Sequence, residues 1–148
     1  SPGQIVISGD PAAVERAAEI AREEGGKRAI PLNVSGAFHS PLMEPAVAEL
    51  RESLAETPIE APRFPVVSNV TGEPNARADD VRLLLERQLT GAVRWVQSVR
   101  TMIENGATEF VEVGPGEVLT GLVRRIDRSV PSRPLGTAAQ IKAYIAEA

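Results

Sequence analysis

The sequence predicts an α/β protein, and three observations carry that prediction. Short apolar runs at 5–8, 29–34, 64–70 and 109–113 alternate with longer stretches whose apolar residues recur at helical spacing. The segments between them are punctuated by Gly, Pro, Asn and Asp, the residues of turns and caps. Of the 148 residues, 43% are hydrophobic and 24% charged, a balance unlike that of a chain disordered throughout. A domain of this length buries roughly 68–70% of its unfolded surface.

The elements follow in order. The run 5–8 reads as a strand closed by Gly9-Asp10-Pro11. Asp10 is placed to cap a helix with Pro11 at its first position, where a missing N–H costs nothing. That helix runs to about Glu24, presents Val14, Ala17, Ala18 and Ala21 on one stripe, and ends at Gly25-Gly26. With a strand at 29–34 this makes a small β-α-β unit. A loop at 35–41 leads to Ser40-Pro41, a helix opening blurred by Pro45, and the stripe Met43, Val47, Leu50, Leu54. Pro58, Pro62 and Pro65 keep the next stretch extended before a strand at 64–70 and a turn at 71–74. Helices are expected at 79–89 and 95–104, a strand at 109–113 and a tight turn at 114–116. A helix at 118–126 then carries Arg124, Arg125 and Arg128 near its C-terminus, where cations suit the dipole. The last helix spans 137–147. No repeat, heptad or low-complexity tract is present.

Composition excludes several functions. Sixteen Lys/Arg against twenty Asp/Glu give a net charge of −4, unlike a general nucleic-acid binder, and 3% aromatics leave little for stacking bases. No apolar run approaches the ~20 residues of a membrane helix. The lack of Cys rules out disulfides, thiolate metal sites and a cysteine nucleophile, and fits a reducing, cytoplasmic compartment. A single His makes a multi-histidine metal site impossible, and no metal or cofactor is expected. The chain opens without Met and reaches Ile5-Val6-Ile7 almost at once. That is expected either of a piece cut from something longer or of a terminal strand that docks in a sheet.

Three places could carry chemistry. His39 lies in a loop beyond an apolar run, where sites of open α/β sheets gather, and a neutral imidazole there serves as a general base. The alternative is an exposed loop histidine or a packing spacer. Gln88 falls inside the stripe Val81, Leu84, Leu85, Leu89, so its amide either needs buried partners or sits wet at a fraying end. The turn Val113-Gly114-Pro115-Gly116 opens a helix, a place that attracts anions, but matches neither glycine-rich phosphate motif. No G-x-S-x-G elbow exists, so the chain offers a base without a nucleophile.

At Gly36-Ala37-Phe38-His39-Ser40-Pro41-Leu42-Met43 the sequence resembles the malonyl-CoA:acyl carrier protein transacylases. Ser1-Pro2-Gly3-Gln4-Ile5-Val6-Ile7-Ser8-Gly9, Pro65-Val66-Val67-Ser68-Asn69-Val70, Arg87-Gln88-Leu89, Val93-Arg94-Trp95 and Glu112-Val113-Gly114-Pro115-Gly116 extend the likeness in family order. The resemblance implies the C-terminal half of an α/β-hydrolase-like acyltransferase core (33–148) plus part of a ferredoxin-like subdomain (1–32). It implies ping-pong transfer of malonyl from coenzyme A to the phosphopantetheine thiol of acyl carrier protein, through an acyl-serine. His39 would be the general base and acid, and Gln88 the residue whose main-chain carbonyl orients it. Phe38, Gln4 and Val118 would line the substrate pocket, Phe38 leaving little room for an α-methyl group. The family's serine, carboxylate-clamping arginine and oxyanion donors lie upstream of Ser1, so the missing N-terminal half is an implied partner and this piece alone is expected to be inactive. The competing readings are a non-catalytic carrier-protein docking module, with Arg94, Arg100, Arg124, Arg125 and Arg128 facing an acidic partner, and an acyltransferase piece of a polyketide synthase.

Overall fold

Asp10 accepts the Ala13 N–H at 3.1 Å and Pro11 occupies the first turn, so helix α1 (Pro11–Glu23) begins where the capping residues place it. It ends in a Schellman motif. Gly25 takes a left-handed φ of 88°, its N–H donates to Arg22 O, and the Gly26 N–H donates to Ala21 O at 2.7 Å. The computed structural model describes residues 1–147. They form two compact units, one of residues 6–94 and one of residues 1–5 with the chain from Trp95 onward.

In the 6–94 unit, Pro45 divides the helix expected after Ser40. Residues Pro41–Ala46 form a 3₁₀ segment, and α2 (Val47–Glu56) continues from it with Val47 buried. Strands β1 (Val66–Val67) and β2 (Pro74–Asn75) pair antiparallel. The Ser68 N–H donates to Glu73 O and the Gly72 N–H to Ser68 O, so the expected turn is a hairpin tip. Helix α3 (Ala78–Thr90) packs on α2 and on the 3₁₀ segment. Arg51 clamps it, donating to both carboxylate oxygens of Glu86 at 2.9 and 2.6 Å.

In the other unit, α4 (Trp95–Glu104) buries Val99 completely and packs on α5 (Val118–Ile126), whose Val123 is also buried. Strand β3 (Phe110–Val113) pairs parallel with β4 (Ser132–Leu135), in register from Phe110↔Ser132 to Val113↔Leu135, and α5 is the crossover that packs on both. At Gly136 the chain passes so close to Gly114 that a Cβ would lie 2.6 Å from the Gly114 carbonyl oxygen. Helix α6 (Ala138–Glu147) opens on a capping box: Thr137 Oγ1 accepts the Gln140 N–H, and Gln140 Oε1 accepts the Gly136 and Thr137 N–H groups. Arg133 holds α6 to β4 through Glu147 and the Tyr144 ring, and pairs with Glu109.

A parallel β-α-β unit lies at 110–135. The runs 5–8 and 29–34 are extended but form no strand, because no neighbouring segment of the chain pairs with them. Their apolar side chains stay in solvent, with Ile5 89% and Ile30 70% exposed. Strand β4 went unpredicted because Ser132-Arg133-Pro134-Leu135 lacks alternation and carries a proline, tolerated here because a two-stranded sheet asks for a ladder on one side only. Among the described residues no helix is long and apolar enough to cross a membrane.

Candidate active site

The candidate site is built on the C-terminal end of α3. The last carbonyls of a helix have no partner within it. Here the Arg87 carbonyl accepts the Gly91 N–H at 2.8 Å, and the next two are taken by one residue of the 35–41 loop. The His39 N–H donates to Leu89 O at 3.1 Å, and His39 Nδ1 lies 2.9 Å from Gln88 O. To reach both, His39 adopts φ 63°, the only positive φ outside glycine among the described residues. An L-residue pays ~1–2 kcal/mol there.

The Gln88 side-chain amide also lies beside the ring, with Nε2 3.1 Å from Nδ1. Nδ1 cannot donate to the carbonyl and accept from the amide at once. A carbonyl oxygen can only accept and is the nearer partner, so the neutral ring carries its proton on Nδ1. The lone pair is then on Nε2, and the ring is exposed. This arrangement is an oriented proton acceptor, fixed by main-chain groups in place of a carboxylate.

Ser40 completes the loop. It is 4% exposed, its hydroxyl donates to Ala37 O at 2.7 Å, and it accepts the Leu42 N–H at 3.3 Å as the cap of the 3₁₀ segment. Phe38, 48% exposed, precedes His39 with its ring folded back over Gly36, 3.1 Å from where a Cβ would sit. The structure thus brings Phe38, His39 and Gln88 together. Gln4 and Val118 belong to the other unit. Gln4 Oε1 accepts from Ser1 Oγ at 3.0 Å and from Arg125 at 3.3 Å, while Val118, first residue of α5, is 72% exposed.

In the residue string Ser40 stands out as a helix opener and as a neighbour of His39 badly placed to be its nucleophile, and no side chain advertises the Leu89 carbonyl. The apolar run before the His39 loop is exposed over residues 30–34, and the loop is positioned by α3. The glycine turn at 113–116 is not open to an anion in the way a bare helix start is. Glu112 already accepts the Leu119 N–H at 3.0 Å and the Thr120 N–H at 2.7 Å, and these bonds, that from Thr120 first, hold its carboxyl below the usual glutamate range. A wide groove of about 650 Å³ lies elsewhere in the same unit, lined by Arg124, Arg125, Arg128, Ser132 and Arg133. Arg133 is committed to Glu109 and Glu147, and Arg124 donates to Ser132 O at 3.0 Å.

Residues 1–144 match the family model described as an acyl transferase domain. The malonyl CoA-acyl carrier protein transacylase of Bacillus subtilis is 48% identical over 127 residues, 86% of this chain and 40% of that protein. Among solved structures, an acyl-carrier-protein-S-malonyltransferase from Bartonella henselae superposes with a TM-score of 0.89 at 39% identity, over 94% of this chain and 44% of its own. A type II PKS acyl-carrier protein in complex with its malonyl-transacylase matches with a TM-score of 0.90 at 37% identity, over 95% and 45%. The chain thus spans under half the length of the relatives it matches.

Proposed function

We infer, from the premise that this chain belongs to the acyl transferase domain family, that it supplies the histidine half of a malonyltransferase. The reaction is transfer of malonyl from coenzyme A to the phosphopantetheine thiol of an acyl carrier protein, by way of an ester on a serine that the rest of the protein provides. His39 Nε2 takes the serine proton as Oγ attacks the thioester carbonyl, and the imidazolium returns it to the departing coenzyme A thiolate. In the second half the same nitrogen takes the proton of the carrier thiol and gives it to the serine oxygen as the ester breaks. Nδ1 keeps its proton throughout, donated to Gln88 O. Phe38, Gln4 and Val118 would border the acyl group. Residues 1–32 would belong to a ferredoxin-like subdomain and 33–148 to the hydrolase-like core, the extended runs at 5–8 and 29–34 pairing with strands from the remainder of the protein.

The observation that carries this reading is the 2.9 Å contact between His39 Nδ1 and Gln88 O, which leaves Nε2 as the free acceptor. Combining the chain with the N-terminal portion of a relative and assaying malonyl transfer tests it. Transfer should appear only in the mixture, and His39→Ala should lower kcat by at least ~10³-fold, the scale of losing a catalytic base. A folded complex whose transfer is indifferent to His39 would refute the catalytic reading.

The arginine groove favours one addition, that this unit meets the acidic surface of the carrier protein. Charge reversal at Arg128, which is not part of the proposed chemistry, should raise KM for the carrier while leaving KM for malonyl-CoA unchanged.

A further inference from the structure

We propose that Ser40 is a positioning residue whose buried hydroxyl holds His39 in its left-handed backbone conformation, and thereby fixes which ring nitrogen carries the proton. The inference rests on the proposed role of His39 as the base.

The hydroxyl bridges the chain on either side of the histidine. It donates to Ala37 O, two residues before His39, and accepts the Leu42 N–H, three residues after it. The Ser40 carbonyl in turn accepts the Met43 N–H at 3.1 Å, so the serine also anchors the start of the 3₁₀ segment. His39 is the strained residue inside this bridge, with φ 63°. An L-residue leaves the left-handed region unless its surroundings keep it there. Two restraints come from α3, the Leu89 carbonyl on its N–H and the Gln88 carbonyl on its ring. Both act only after the loop has brought residue 39 to the helix end. The bridge from Ala37 to Leu42 is the restraint internal to the loop. Without it residue 39 can relax to negative φ, which swings its Cβ and ring away from Gln88 O. Nδ1 then loses the acceptor that favours the Nδ1–H form, and the ring reverts to the Nε2–H form preferred by unrestrained imidazole. A proton on Nε2 occupies the position that must accept one.

Only one histidine is present, so its ring nitrogens can be read without assignment ambiguity. Long-range ¹H–¹⁵N spectra of the full chain with the ring neutral should show a dominant Nδ1–H form. Ser40→Ala should lower the Nδ1–H to Nε2–H ratio several-fold. Ser40→Thr keeps donor and acceptor and should retain the native ratio, while its isostere Ser40→Val should lose it. A native ratio in folded Ser40→Ala or Ser40→Val overturns the proposal. So does failure of both hydroxyl-free variants to fold while Ser40→Thr folds, since the serine would then be a fold residue. In the enzyme completed with its N-terminal portion, Ser40→Ala should lower kcat about tenfold with KM for malonyl-CoA unchanged. If the completed wild-type enzyme transfers nothing, the functional reading fails while the tautomer result is decided on its own spectra.

Discussion

Replacing His39 by glycine should leave the protein more stable than replacing it by alanine, the reverse of the usual order within regular structure. Both substitutions remove the ring and its bond to Gln88 O, so that loss cancels in the comparison. The difference lies in the backbone. At φ 63° alanine retains the strain of an L-residue, ~1–2 kcal/mol, and glycine does not. Against this, glycine gives the unfolded chain more freedom, at a cost of roughly 0.5–1 kcal/mol. At the centres of these ranges the balance favours His39→Gly over His39→Ala by about 0.7 kcal/mol. For a chain of this size that is a gap in Tm of roughly 1–4 °C. Thermal and urea denaturation followed by circular dichroism measure it, with equal m-values confirming that the unfolded states are comparable. An alanine variant as stable as the glycine variant would refute the reasoning. Residue 39 would then not be left-handed in solution, and the aim of its ring at Gln88 O would go with it.

Two further outcomes follow from neighbouring contacts. In the completed enzyme, Phe38→Ser should raise kcat/KM for methylmalonyl relative to malonyl substrates by ~10-fold, the scale of one methyl group's fit, and an unchanged ratio would remove Phe38 from the pocket wall. Glu112 has its carboxyl held below the ordinary glutamate value of 4.5, so its contribution to stability is full above that value and is lost as pH falls through the lower folded-state value. The Tm gap between wild type and Glu112→Gln should therefore close on acidification. A gap constant from about pH 7 to about pH 3 would show that the α5 amides do not depend on that carboxylate.

The helices and β3 were largely legible in the sequence, β1 only in part and the other strands not, and the reason is how far each interaction reaches. Helices α4 and α5 have the bounds that their apolar spacing and the flanking Asn105-Gly106 and Gly114-Pro115-Gly116 indicate, because caps and periodicity are local. A strand exists only if another segment accepts its hydrogen bonds. The run Ile5-Val6-Ile7 has every residue preference of a strand and no pairing partner among the described residues, while Ser132–Leu135 has almost none and pairs with β3. At the site, His39 could be singled out as the only imidazole, following a loop of small residues. The groups that aim it are main-chain carbonyls of Gln88 and Leu89, and its strain lies in a backbone angle. None of these changes the residue string in a way that periodicity or spacing registers.

The use of carbonyls to orient His39 has a physical logic of its own. A carboxylate beside a histidine brings a charge that must be solvated or paired, and its side chain has rotamers to fix. The end of α3 supplies acceptors without either cost. Its terminal carbonyls lack partners because the helix stops, and their directions are set by the helix itself. Two consecutive ones, Gln88 and Leu89, meet the ring and the N–H of the same residue, so imidazole orientation and backbone conformation at residue 39 become a single constraint. The strain at φ 63° is what satisfying both acceptors requires, since relaxing the backbone would surrender at least one of them. A group restrained in this way keeps the same nitrogen turned outward. Under the proposed function, a base that accepts and returns a proton in each half of a two-step transfer needs that constancy.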